Sequence, residues 1–195
     1  SNPGFKITAK MVPDLLWGIV YGDLLMNVLH RVRPYEKVPG SANALYDYWV
    51  EKCQAALWRG DKKEIVDNIY KIVEDFDKLE IHEDMVKPKV GIVGEILVKY
   101  HPTANNNLVE VLESEGAEVY QPDLMGFLLY CAFDHKVKYE QLSGTFKAMF
   151  GGLFSVKVME HYRKDMRKAL AKSKRFTPPS SIEEIAASAE EHISL

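Results

Sequence analysis

Only two of the 195 residues are cysteine, Cys53 and Cys131, and they lie far apart. That excludes a disulfide framework and favours a reducing compartment. It also excludes a complete iron–sulfur cluster held by this chain's cysteines alone, which needs about four thiolates. Charge of one sign is missing too. Lys and Arg total 25 against 28 Asp and Glu, a formal net charge of -3, and the pI is about 6.1. No excess announces nucleic acid or a membrane surface as partner. No run of ~18 apolar residues is present to span a bilayer, and no basic start followed by an apolar run marks a secretion signal. A cytoplasmic chain is the expectation. Absent as well are a Walker loop, a dinucleotide fingerprint, a His-Glu-x-x-His pair, a Ser-His-Asp arrangement, internal repeats and low-complexity tracts. The opening Ser1-Asn2 has no initiator Met and reads as a cloning remnant, so the chain is expected to be cut from something longer.

What is present is a globular composition, 47% apolar and 27% charged, with enough length for a sizeable core. From Asp14 to Arg33, Leu15, Leu16, Ile19, Leu24, Leu25, Val28 and Leu29 recur at helical spacing. The pattern is apolar nearly all round and predicts a buried helix, capped by Asp14 and ended at Arg33-Pro34. Ser41 to Arg59 forms a second helix, stopped by Gly60. Asp61 with Glu64 is a capping-box-like start for a third, which runs to Lys78 with Ile65, Ile69, Ile72, Val73 and Phe76 as its apolar stripe. Residues 1–86 are therefore a helical segment.

The character changes at Lys87. Val90-Gly91-Ile92-Val93-Gly94 reads as a buried parallel strand. A helix follows Asn105-Asn106-Asn107 and ends at Gly116, and Ala117 to Tyr120 is a second strand. Residues 87–135 thus hold a βαβ unit, and residues 136–195 a second helical segment. In the latter, Lys136 to Arg175 is expected to break near Gly151-Gly152. Ser180 or Ser181 caps a last helix from Ile182 to about Ile193, with Glu183 and Glu184 in its first turn. The fold class is α/β, helix-rich, and the chain is expected to be one compact domain cut from a larger protein. Two strands are few for a doubly wound sheet, so sequence beyond Leu195 is expected to complete it.

The candidate ligand site is the loop after the first strand: Gly94, Glu95, Lys99, Asn105, Asn106 and Asn107. Ligands of open α/β sheets bind beyond the carboxyl ends of strands. Gly94 would admit a close backbone approach, the next helix start offers N–H groups to an anion, and Lys99 and His101 supply charge or proton transfer. In the plainer reading, Gly94 makes a turn, Asn106 or Asn107 caps the helix and Lys99 is solvated. Cys131 is either a small buried apolar residue or one ligand of a cluster completed elsewhere. Cys53 and the tryptophans Trp17, Trp49 and Trp58 read as core. His82-Glu83-Asp84 reads as solvated polar linker, and Arg31, Arg33 and Tyr35 are candidates for a phosphate group. The basic residues Arg163, Lys164, Arg167, Lys168, Lys172, Lys174 and Arg175 read as a solvated face, or one that docks an acidic partner or the acidic last helix.

Lys87-Pro88-Lys89-Val90-Gly91-Ile92-Val93-Gly94-Glu95-Ile96, with Asn105 to Val109, Glu115 to Val119 and Leu128-Leu129-Tyr130-Cys131, resembles a known family. These are the large CoA-substrate-specific enzyme activases, related to the activators of 2-hydroxyacyl-CoA dehydratases. Trp17 to Val20, Gly22 to Leu25 and Arg31 to Glu36 resemble the same family's upstream segment. In that family an ATPase portion with an iron–sulfur cluster precedes a region similar to the dehydratase subunits, and this chain resembles that region. The resemblance implies a flavodoxin-like α/β unit. It implies an iron–sulfur cluster and ATP in the intact protein, with Cys131 as a single cluster ligand, and no cofactor in this fragment. Its implied partners are the remainder of its own polypeptide and an acyl-CoA dehydratase. The nucleotide-binding motifs and a downstream cysteine-bearing segment are not in this sequence, so activity is not expected of the fragment alone. Two rival readings remain: a scaffold or partner-docking module without a site of its own, and a binding protein for a small anion near Asn106.

Overall fold

The apolar stretch near the N-terminus forms a long helix, and the rest of the chain is arranged around it. The structure, a computed structural model, describes residues 8–190. The expected helix end near Ile193 and the Ser1-Asn2 pair lie outside the described residues. α1 spans Val12–Val32 and buries Leu16, Trp17, Val20, Leu24, Leu25, Val28 and Leu29. Pro13 rather than a side-chain cap marks its start, and Asp14 sits in its first turn without capping it, where its charge still favours the helix dipole. A single 3₁₀ turn, Arg33–Tyr35, carries the chain out, because Pro34 cannot supply the next helical N–H. By length and composition alone, Val12–Tyr35 would suffice to cross a membrane, with mean hydropathy 1.3 in its window. The sequence reading missed this because Asp14, Asp23, Arg31 and Arg33 interrupt the run. Half of that window is buried inside the protein.

α2 (Ser41–Arg59) and α3 (Lys62–Lys78) lie against α1. The Asp61 carboxylate accepts from the N–H groups of Lys63 and Glu64, at 3.0 and 3.2 Å, so the expected cap is real. The reciprocal half of the capping box is not formed, since Glu64 pairs with Arg59 instead. Gly60 ends α2 in the left-handed region, φ 68°, where a side chain would be strained. The predicted apolar stripe of α3, from Ile65 to Phe76, is buried as a set.

Then comes the parallel pair: β1 (Lys89–Gly91), α4 (Ile96–Tyr100), α5 (Leu108–Ser114) and β2 (Glu118–Tyr120). The strands pair in the register Lys89 with Glu118, Val90 with Val119, and Gly91 with Tyr120. β2 packs on α1. The unit is βαβ with a two-helix crossover, since α4 forms where a plain loop was expected. β1 is a correction in another respect. The sequence predicts a buried strand through Gly94, whereas β1 is three residues long with both end residues exposed, and Val93 is exposed. Only one neighbouring strand exists among the described residues, so no second ladder or covering helix buries it.

α6 (Leu124–Gln141) and α7 (Phe146–Lys172) form an antiparallel hairpin, and α8 (Ile182–Glu190) closes against α6. The break expected at Gly151-Gly152 does not occur, and α7 runs straight through. The turn is at Leu142 to Thr145, with the Thr145 hydroxyl accepting from Ala148 N–H. Gly152 serves packing instead. A Cβ there would lie 2.3 Å from the Ala132 carbonyl oxygen of α6. The Ser181 cap of α8 is reciprocal: Glu184 N–H donates to the Ser181 hydroxyl at 3.1 Å, and Ser181 N–H to the Glu184 carboxylate at 2.7 Å.

One apolar cluster runs from Leu16 to Ile182 and takes in side chains of α1, α2, α3, α6, α7 and α8. Two expectations about it fail. Trp58 is 93% exposed while Trp17 and Trp49 are buried. Trp58 lies nine residues on from Trp49, half a turn round α2, and so faces away from the core that Trp49 enters. Arg163, read as part of a solvated face, is 1% exposed. Its guanidinium grips Glu160 at 2.6 and 3.0 Å, the Ser180 carbonyl at 3.0 Å, and Asp123 at 3.5 Å. A buried arginine needs such partners.

Candidate functional site

A groove of about 670 Å³ opens between α1 and the crossover, beside the carboxyl end of β2. Its floor is one face of α1, where Leu15, Gly18, Gly22, Met26 and His30 follow at steps of three and four, with Ile19 beside them. Its opposite wall is Lys99, Tyr100, Pro102, Asn105 and Asn107, and Gln121 and Leu124 close the end beyond β2. Gly18 and Gly22 face open space, since a Cβ on either would touch nothing within 4 Å. Glycine in mid-helix costs about 1 kcal/mol relative to alanine. Packing within this chain gives no return for that cost.

The loop residues singled out from sequence divide. Lys99, Asn105 and Asn107 line the groove, whereas Gly94, Glu95 and Asn106 do not. Gly94 is exposed, at φ 144°, and makes the turn into α4. Glu95 is the N-cap of α4, its carboxylate accepting from Val98 N–H at 3.0 Å. The three asparagines have separate tasks. Asn106 and Asn107 sit in the left-handed region, φ 56° and 54°, which asparagine tolerates better than most residues. Neither caps α5 with its side chain, contrary to expectation. Asn105 does so: its Oδ1 accepts from Leu108 N–H at 3.2 Å, and its Nδ2 donates to the Val98 and Lys99 carbonyls. One side chain thus ties the end of α4 to the start of α5. Gln121 Nε2 adds a second bond to the Lys99 carbonyl at 3.2 Å.

Beneath the groove lies a cluster of buried ionisable groups. Asp23, 4% exposed, accepts from the N–H groups of Leu124 and Met125, each at 2.8 Å. It therefore pins the start of α6 to the middle of α1. Burial, and then the neighbouring Asp123, outweigh those two bonds and push its carboxyl up to about 7. Asp123 is also raised by burial, an effect that Arg163 opposes. Gly126 leaves room for the Asp123 carboxylate, which a Cβ there would meet at 2.3 Å. Tyr100 donates its hydroxyl to the Pro122 carbonyl, and burial raises its pKa. At the other end His30 is lowered to about 4 by burial and then by Arg33. Lys99 stacks its ammonium over the Tyr100 ring, 4.7 Å from the centroid. The groove thus offers apolar surface along α1, the Lys99 ammonium, the side chains of Asp14, Arg33 and Glu110 in its lining, a carboxyl at Asp23 that is neutral up to near-neutral pH, and an imidazole at His30 that stays neutral there.

Sequence reasoning missed the α1 face. The signal was there: two glycines and an aspartate inside an otherwise apolar helix. Of the candidate phosphate ligands, Arg33 reaches the groove lining and Arg31 and Tyr35 do not, and all three are already paired. Arg33 forks onto Glu113 at 2.7 and 3.0 Å. Arg31 and the Tyr35 hydroxyl both reach Glu118, at 3.1 and 2.7 Å. Cys53 is buried as expected, its thiol pushed up to about 12 by burial. Cys131 is not the buried apolar residue of the plainer reading. It is exposed on α6 and does not line the groove. Among the described residues no group of three or more His, Cys, Asp or Glu is placed to hold a metal ion.

No protein-family model matches the chain, no curated protein matches it, and no solved structure matches it.

Proposed function

We propose that this chain is a non-catalytic, ligand-binding α/β module of a larger activase-like protein, contributing a dehydratase-like domain to an iron–sulfur redox system acting on acyl-CoA substrates. The observation that supports it best is the groove of about 670 Å³ at the carboxyl end of β2. Its volume falls within the usual range for small-molecule sites. Its apolar walls suit an acyl chain, and Lys99 at the rim suits an anionic head group. Two glycines left facing empty space are consistent with a wall kept open for a ligand. In this reading the flavodoxin-like sheet is completed, and β1's free edge covered, by the remainder of the polypeptide. The iron–sulfur cluster and ATP belong to the intact, cytoplasmic protein, and an acyl-CoA dehydratase is its partner.

Calorimetric titration of the chain with butyryl-CoA tests the groove. Saturable binding that Gly22→Leu abolishes, with the melting temperature kept, is expected. No saturable heat from the unaltered chain, or equal binding by Gly22→Leu, removes the proposal. Cys131 is tested separately, by counting iron and sulfide in the intact protein after anaerobic reconstitution. Unchanged content in Cys131→Ala removes it as a cluster ligand and leaves the groove reading standing.

A further inference from the structure

α7 is 27 residues long, about 40 Å of helix. Its inner face is Gly152, Val156, Met159, Arg163, Met166 and Leu170, all buried against the rest of the protein. Its outer face is Phe146, Phe150, Phe154, Lys157, His161, Lys164 and Lys168, at steps of three and four, and every one of these is exposed. The three phenylalanines keep 64, 65 and 63% of their surface in water. Lys147 stands beside them, also exposed. The helix's two acids do not balance this charge on the outer face. Glu160 is turned to Arg163 and Arg167, and Asp165 accepts from the Tyr70 hydroxyl at 3.1 Å. One straight face is therefore aromatic along its first half and basic along its second, with no carboxylate on it.

We propose that this outer face of α7 docks onto an anionic lipid bilayer, the phenylalanines entering the headgroup boundary and the lysines lying against lipid phosphates. Helices that combine large apolar side chains with lysines bind membrane interfaces in this way, and an anionic leaflet attracts each lysine. A second copy of the chain is a poorer occupant. The exposed surface of the three phenylalanines comes to roughly 400 Å², taking about 200 Å² per ring side chain. A stable interface buries about 800 Å² per partner. Self-pairing in parallel would also set Lys157, Lys164 and Lys168 against their own copies. A bilayer supplies apolar depth and negative charge along the whole length of the face. The inference is independent of the groove.

The test is co-sedimentation of the whole chain with phosphatidylcholine vesicles, with and without equimolar phosphatidylglycerol. The expected result is binding to the anionic vesicles alone, released by high salt. Phe150→Glu with Phe154→Glu is expected to weaken it at least tenfold. Lys157→Gln and Lys164→Gln should each weaken it on the order of fivefold. All these side chains are exposed, so circular dichroism and melting are expected to stay unchanged. No sedimentation with anionic vesicles overturns the proposal, and so does equal binding by the double glutamate variant. A dimer in sedimentation velocity that Phe150→Glu dissociates, with no vesicle binding, assigns the face to a second copy and overturns it too.

Discussion

Gly151 and Gly152 are neighbours in the middle of α7, and alanine at the two positions should act with opposite sign. At Gly151 a Cβ meets nothing within 4 Å. Gly151→Ala therefore gains helix propensity and stabilises by about 0.5–1 kcal/mol. At Gly152 the same methyl group would lie 2.3 Å from the Ala132 carbonyl oxygen and 3.0 Å from the His135 Cβ. Ordinary carbon contacts start near ~3.5 Å, so α6 and α7 must separate by roughly 1 Å. Ala132 is backbone-fixed in mid-helix and cannot swing aside. Overpacking of this kind costs about 1–3 kcal/mol, and the propensity gain offsets only part of it. Gly152→Ala is expected to lose about 1–2 kcal/mol, leaving the two variants about 1.5–3 kcal/mol apart. For a chain of this length that is a gap of about 5–10 °C in melting temperature. Urea unfolding with an unchanged slope is the cleaner assay, because it separates stability from a change in the unfolded state. If Gly152→Ala proves as stable as Gly151→Ala, the close approach of α6 and α7 is wrong, and with it the reason α7 crosses two glycines unbroken.

Other consequences follow from the buried charges and the caps. His30, held at about 4 against an ordinary 6.5, binds fewer protons folded than unfolded between those values. Stability should rise with pH across that window by up to about 3 kcal/mol on its account. Asp23, raised to about 7 from 3.8, binds more protons when folded, so its contribution falls by up to about 4 kcal/mol as pH rises through that range. The two oppose each other, and His30→Gln should unmask a steeper fall in stability between about pH 4 and 7, measured by denaturant midpoints. A wild-type slope kept unchanged in His30→Gln would refute the assignment. Asp61→Ala should cost ~1 kcal/mol by leaving the first N–H groups of α3 unpaired, read from the denaturant midpoint, and no change would show the cap to be idle. Trp49→Ala should cost about 3–5 kcal/mol, whereas Trp58→Ala, exposed and outside the core, should stay within ~0.5 kcal/mol. Comparable losses at both tryptophans would contradict the packing of α2.

Local chemistry alone determined much of this protein. Caps at Asp61 and Ser181, the stops at Gly60 and Arg33-Pro34, the apolar stripe of α3 and the strand–helix–strand order around Asn105 to Gly116 were all legible. Each depends on residues within one or two turns of each other. The candidate loop was half legible for the same reason: a glycine, a lysine and three asparagines announce an irregular connection, but not which of them faces a groove. What lay beyond reach was set by distant contacts. Arg163 reads like its basic neighbours until Asp123, Glu160 and the Ser180 carbonyl converge on it. Gly152 reads as a helix breaker until Ala132 arrives against it. Gly18, Gly22 and Asp23 read as flaws in an apolar helix until the crossover closes a groove above them and α6 begins on the aspartate. Periodicity tells which side of a helix is apolar, but only the packed chain decides what meets that side, because burial and pairing are properties of neighbours that sequence spacing does not record.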